Sequence, residues 1–116
     1  IENKPAVEVW GTGKPRREFL HVDDCADACV FLMNQYDGEE IVNIGVGMDI
    51  PIAELAVMVK EVVGYVGDII YDGTKPDGSP RKLVDTKKIN ALNWKAEIGL
   101  REGIESTYQW FLRYVA

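Results

Sequence analysis

Apolar residues recur at helical spacing through Ile52, Leu55, Ala56, Val59, Val62 and Val63. Pro51 stands at the entry of this run and Gly64 at its exit, so the pattern predicts an amphipathic helix with defined ends. A second helical face runs through Ile104, Thr107, Tyr108, Phe111 and Leu112 and predicts a helix over about Leu100–Tyr114. A third helix is expected over about Cys25–Asn34, opened by Asp23 and Asp24, whose carboxylates can cap free amides and meet the positive end of the dipole. A short helix follows Asp85–Thr86 in "TKKINAL".

Between the helices the pattern changes to period two. "VEVWG" (Val7–Gly11) alternates and ends at the "GTGKP" turn, and "IENKPAVEVW" as a whole is polar and strand-like. "REFLHV" (Arg17–Val22) predicts a second extended run, "IVNIGVG" (Ile41–Gly47) an apolar strand, and "GDIIYD" a further strand. "YDGEE" is a turn. Strands and helices alternate, so the class is α/β. No repeat, low-complexity tract or flexible linker is visible.

The chain has 116 residues, 47% of them hydrophobic and 28% charged, the composition of one folded domain or a piece of one. A net charge of −6 argues against general binding to nucleic acid or to an anionic membrane, though not against a local basic pocket. No apolar run is long enough to span a bilayer, and no signal peptide is apparent. The first residue is not Met, which fits a fragment or a processed product. Cys25 and Cys29 lie one turn apart on a predicted helix, where a disulfide would close almost no loop. Reduced thiols and a cytoplasmic setting follow.

Several short motifs imitate catalytic signatures. "GVGMDI" sits between an expected strand and helix, but Ile50 replaces the third glycine of a dinucleotide loop and no suitably placed acid follows. "GTGKP" has Pro15 where a phosphate loop needs a hydroxyl for magnesium. "YDGTK" matches Tyr-x-x-x-Lys, yet Asp72, Gly73 and Pro76 break the helix that would bring Tyr71 and Lys75 to one face. His21, Asp23, Asp24 and Cys25 are better read as a partly buried histidine and a helix cap than as a metal site. Cys29 is expected in the core, and Trp94 and Trp110 in a core or domain interface.

Two basic sites remain: Arg16–Arg17, and the loop "TKPDGSPRKLVD" with Lys75, Arg81 and Lys82. Arginine's forked donors match phosphate oxygens, lysine adds a mobile point charge, and Trp10 could stack on a base or sugar. Taken by themselves, these cations are better read as pairing with Glu18, Asp77 or Asp85 on the surface, where ion pairs are common and weak.

The segments "VEVWGTGKPRREFLHVDDCADA", "VNIGVGMDIPIAELA" and "LNWKAEIGLREGIESTYQWF" occur in an order that resembles the late part of extended short-chain dehydrogenases acting on nucleotide sugars. "KPDGSPRKLVD" and "STYQWFL" narrow the resemblance to the GDP-L-fucose synthase family among these NAD-dependent epimerases and dehydratases. The resemblance covers the whole chain. It implies a single C-terminal, nucleotide-sugar-binding part, residues 1–116, with late elements that complete a Rossmann-type sheet. The N-terminal NADP-binding Rossmann domain is absent, and with it the glycine fingerprint, the catalytic Ser, Tyr and Lys, and the Cys and His linked with epimerisation. Neither Cys25, Cys29 nor His21 aligns with those last two.

By the same resemblance Trp10, Arg17, Asp77 and Lys82 fall at substrate-binding positions, Arg17 and Lys82 facing the GDP diphosphate. Arg16 is less secure, because relatives often carry an uncharged residue there. Gly99 replaces a helix-capping Ser or Thr, and "HVDD" is structural. The implied reaction converts GDP-4-keto-6-deoxy-D-mannose to GDP-L-fucose by epimerisation at two carbons beside a ketone, then hydride transfer from NADPH. The full-length form would be a homodimer using NADP(H). This part alone would bind no cofactor or metal and lack catalysis, and would self-associate through exposed apolar surface. The competing readings are the equivalent part of a GDP-mannose dehydratase or UDP-sugar epimerase, and an independent small binding or interaction domain.

Overall fold

The computed structural model describes residues 3–116. Of the opening "IENKPAVEVW", Ile1 and Glu2 lie outside the described residues. The elements run β1 (Ala6–Trp10), β2 (Arg16–Arg17), α1 (Val22–Gln35), β3 (Ile50–Pro51), α2 (Ile52–Val63), β4 (Asp68–Asp72), β5 (Arg81–Lys82), α3 (Lys87–Ala91) and α4 (Leu100–Tyr114). The α/β class is as the sequence predicts. The four helices fall where the sequence predicts helices.

The strands form two small sheets. β1 pairs in parallel with β4, from Ala6 opposite Asp68 to Trp10 opposite Asp72. In the second sheet β2 is central, antiparallel to β3 and parallel to β5. Helix α2 follows β3 directly and ends at Gly64, whose φ of 69° is left-handed backbone that suits glycine. One face of α2 lies against β1 and β4, and another approaches α4 across an apolar cavity of about 540 Å³ lined by Leu55, Val59, Ile104 and Phe111. A separate core joins α1 and α3: Ala28 and Ile89 are fully buried and Trp94 nearly so, packed by Leu20, Phe31, Val42 and Ile44. Full burial of a side chain the size of Ile89 contributes about 1.5–3 kcal/mol.

Several expectations are corrected. The run Arg17–Val22 is a strand only at Arg17, because Glu18 turns its carboxylate onto loop amides and Val22 already starts α1. The cap of α1 is His21, whose Nδ1 accepts from the Asp23 amide at 3.0 Å, not the Asp23–Asp24 pair. The buried Asp24 instead accepts from the amides of Glu97 and Ile98, the latter at 2.9 Å, and so ties α1 to the chain entering α4.

Residues 41–47 are not a strand. Val42 and Ile44 point to the core while Ile41 is exposed, so the period-two pattern is real. However, the Val46 and Gly47 amides bond Glu18 rather than a neighbouring strand. Cys29 is exposed, as is Cys25, and both are free thiols. Trp94 is core, but Trp110 is exposed and stacks only at a tilt on Tyr114.

The chain is elongated. Its radius of gyration is 16.9 Å, against about 13 Å for a compact domain of this length. Large apolar side chains stand in solvent, among them Val22, Val30 and Met33 along α1. Among the described residues no helix is long and apolar enough to cross a membrane.

Because Asp24 satisfies two loop amides while almost wholly buried, Asp24→Ala should destabilise the chain by about 2–3 kcal/mol in urea unfolding. Asp24→Asn, which keeps one acceptor, should cost less. A loss within about 0.5 kcal/mol for Asp24→Ala would show that this tie carries no weight.

Candidate functional site

Trp10 is the last residue of β1, and its partner Asp72 is the last of β4. The loops leaving these two parallel strands therefore start side by side at the carboxyl ends, where open α/β sheets bind ligands. The Gly11 amide donates to the Asp72 carbonyl at 2.9 Å, and the Asp72 carboxylate accepts from the Thr74 amide and hydroxyl. The loop Thr74–Asp85 then folds back across the Gly11–Gly13 turn.

Asp77 makes that closure. Its Oδ1 accepts from the Thr12 amide at 2.7 Å and its Oδ2 from the Thr12 hydroxyl at 2.8 Å. Gly11 has φ 88°, and a Cβ there would collide with the Asp77 carboxylate. Glycine is thus required both by the backbone and by the close approach. The Thr12 amide, then its hydroxyl, hold the Asp77 carboxyl below its ordinary pKa.

Trp10 is largely exposed, with its indole N–H on Glu8 and the Lys75 ammonium 5.1 Å from its ring centre. That distance is a cation–π contact. At the other end of the loop, a Cβ built on Gly78 would lie 3.9 Å from Nη2 of Arg17. Arg17 itself pairs with Lys82 in the parallel β2–β5 register. Trp10, Arg17, Asp77 and Lys82 are therefore gathered around one loop.

Pairing also sorts the cations by face. Registered neighbours in a parallel ladder share a face, and successive residues alternate. Arg16 and Arg81 share one face, and both bond the carboxylate of Asp49, Nε of Arg16 at 3.0 Å. Burial pushes the Asp49 carboxyl up, but the two guanidinium groups outweigh it and hold it below its ordinary value. Arg17 and Lys82 share the opposite face. Arg17 donates to the Arg16 carbonyl at 2.7 Å, and neither cation meets a carboxylate among the described residues.

The surface partners expected for these cations are engaged elsewhere. Glu18 accepts from the Val46, Gly47 and Val84 amides, Asp77 from Thr12, and Asp85 from the Lys87 amide. Sequence reasoning missed Asp49, Thr12 and the contact of Lys75 with Trp10. Asp49 lies more than thirty residues from each arginine it binds, and only the sheet order brings them together.

The imitation motifs are disposed of by geometry. The "GVGMDI" loop has its Gly47 amide on Glu18. Tyr71 lies on β4, and Lys75 sits over Trp10 rather than beside Tyr71 on a helix. Ser106, His21 and Asp23 line up like a hydrolytic triad, with Ser106 Oγ 3.1 Å from Nε2. Yet Nδ1 is the acceptor of the helix cap, so in the neutral ring Nε2 carries the proton and cannot take one from Ser106. The Ser106 hydroxyl donates to the Gly103 carbonyl. Among the described residues no three His, Cys, Asp or Glu side chains are grouped to hold a metal.

Comparison with known proteins finds similar sequences and folds. The family model described as "NAD dependent epimerase/dehydratase family" matches residues 1–45. The chain is 58% identical over 115 residues to GDP-L-fucose synthase 1 of Arabidopsis thaliana, covering 99% of this chain and 36% of that protein. It is 47% identical over 120 residues to the GDP-L-fucose synthase of Escherichia coli K12, covering 96% of this chain and 37% of that protein. The chain is similar to proteins named GDP-L-fucose synthase, and its first 45 residues match the NAD dependent epimerase/dehydratase family model.

It spans about a third of the length of the relatives it matches, in their C-terminal part. The fold agrees. A crystal structure described as a GDP-L-fucose synthetase from Naegleria fowleri bound to NADP superposes with a TM-score of 0.88 at 29% identity, over 93% of this chain and 35% of that one.

The lowered pKa of Asp77 gives a signed expectation. Its contribution to stability is present above the unfolded value, about pH 3.9, and is lost as pH falls through the lower folded value. Asp77→Asn should therefore be less stable than wild type at pH 6 and approach it at pH 3, read by urea unfolding at both. A pH-independent difference would show that the Thr12 contacts do not depend on the charge.

Proposed function

We propose that the chain is the GDP-sugar-binding part of an NADPH-dependent epimerase/reductase that makes GDP-L-fucose from GDP-4-keto-6-deoxy-D-mannose. The observation that carries this reading is the cationic face of Arg17 and Lys82, which meets no carboxylate among the described residues and shares a loop with Lys75, itself over the ring of exposed Trp10. A diphosphate supplies the missing charge, and the arginine fork suits its oxygens. Trp10 offers an apolar face to the base or sugar, with Lys75 on its ring. Asp77 keeps acceptor capacity beyond its bonds to Thr12 and takes hydrogen bonds from substrate hydroxyls. The similarity to proteins named GDP-L-fucose synthase selects GDP over other nucleotides.

In this reading the chain's residues bind and orient. Holding the nucleotide at Arg17 and Lys82 fixes the remote sugar so that its ketone meets the reacting groups in a set geometry. NADP(H), when bound elsewhere in the full-length protein, supplies the hydride. Proton removal beside the ketone is assigned to that part of the protein as well. The exposed apolar residues of α1 are the surface on which the rest of the protein packs, and the isolated chain self-associates through them. The full-length protein is a cytoplasmic homodimer.

Calorimetry with GDP on the full-length protein tests the site. Lys82→Ala and Arg17→Ala should each weaken GDP binding about tenfold, the scale of one lost charge-assisted contact, and leave NADPH binding unchanged. GDP should be preferred to UDP. Unchanged GDP affinity in both variants would remove the diphosphate assignment, and a preference for UDP would move the protein to a UDP-sugar branch. NADPH oxidation with GDP-4-keto-6-deoxy-mannose should be seen in the full-length protein and not in the 116-residue chain.

A further inference from the structure

We infer that Asp49 is a positioning residue for nucleotide diphosphate binding: it touches no ligand, but its two guanidinium bonds fix the register that turns Arg17 and Lys82 together toward the anion. The inference rests on the diphosphate reading of Arg17 and Lys82 given above.

The strands that carry these cations are very short. β2, β3 and β5 have two residues each. Ladders of that length supply few hydrogen bonds and specify register weakly. A slip of one residue in either strand would exchange the faces, placing Arg16 or Arg81 where Arg17 or Lys82 now stand. With four consecutive-pair cations, two on each strand, charge alone does not distinguish the registers.

Asp49 does distinguish them. It immediately precedes β3, and its side chain is only 3% exposed. Oδ1 binds Nε of Arg16 on β2, and Oδ2 binds Nε of Arg81 on β5. The Asp49 carbonyl accepts from Nη2 of Arg16 as well, at 3.3 Å. One carboxylate thus joins all three strands and holds the Arg16–Arg81 pair on its own face. A slip would break at least one of these bonds and leave a buried carboxylate short of a partner, which is costly. Arg16 and Arg81 remain 44% and 59% exposed, so the pair is anchored at Asp49 and not by burial of the arginines.

Electrostatics and positioning predict opposite signs here. Asp49 is a negative charge near a proposed anion site, and removing it should strengthen GDP binding if only charge matters. If Asp49 sets the register, its removal should weaken binding. GDP affinity is therefore measured by calorimetry on the full-length protein for Asp49→Asn, Arg17→Ala, Lys82→Ala and the Asp49→Asn/Lys82→Ala double variant. Arg81→Lys is included as a milder test that keeps the charge and removes the fork.

Asp49→Asn should raise the Kd for GDP on the order of tenfold, and Arg81→Lys should also raise it. NADPH affinity should be unchanged in both. In the double variant the Asp49 effect should shrink to less than about threefold, because part of what it positions is gone. Equal or tighter GDP binding in Asp49→Asn and Arg81→Lys overturns the positioning role, as does full additivity in the double variant. If Arg17→Ala and Lys82→Ala leave GDP affinity unchanged, the diphosphate reading itself falls and the inference falls with it.

Discussion

Loop amides that leave water need acceptors, and in this chain carboxylates supply them across long sequence separations. Glu18 holds the amides of Val46 and Gly47, Asp24 those of Glu97 and Ile98, and Asp77 that of Thr12. Asp49 works the same way on guanidinium groups, joining Arg16 to Arg81. These bonds matter because the regular ladders are small: one parallel pair of five-residue strands, and one sheet of two-residue strands. Removing a partner from a charge-assisted bond costs more than removing one neutral bond from a ladder. The loops at the carboxyl ends of β1 and β4 are therefore held by side chains, and the site is built on them.

The helices were legible because their periodicity is a local property. Ile52 to Val63 carries both its apolar stripe and its end signals within fourteen residues, and the structure gives a helix over that span. The segment 41–47 shows where local reasoning stops. Its period-two pattern correctly sorts Val42 and Ile44 inward, but a strand also needs a partner, and Glu18 holds its amides instead. The cap of α1 failed for a related reason. Asp23 and Asp24 are good caps by residue type, yet Asp24 faces the turn before α4, and His21 is left to accept from Asp23.

The site was legible only in part. Trp10, Arg17, Asp77 and Lys82 come from a resemblance to known enzymes, and the geometry now shows how they meet around one loop. What no local pattern could reveal is the division of labour among the cations. "RR" and "RK" read as interchangeable charge until the parallel register assigns one member of each to Asp49 and the other to the opposite face. Thr12 and Asp49 look like ordinary turn residues for the same reason, since their partners are 65 and more than thirty residues away.

A chain with net charge −6 can still present a cationic surface, because local fields are set by the arrangement of charges within a Debye length, about 8 Å in physiological salt. Carboxylates around the loop are already hydrogen bonded: Glu18, Asp72, Asp77 and Asp85 to backbone amides, Asp49 to two guanidinium groups. Amide dipoles pointed at a carboxylate stabilise its charge in place. Such a carboxylate has less to gain from swinging toward Arg17 or Lys82. The surrounding acid is thereby kept from closing the cationic face, while the overall negative charge discourages polyanions that have no specific fit. A narrow positive face within an acidic surround is thus compatible with a small anion and unfavourable to a large one.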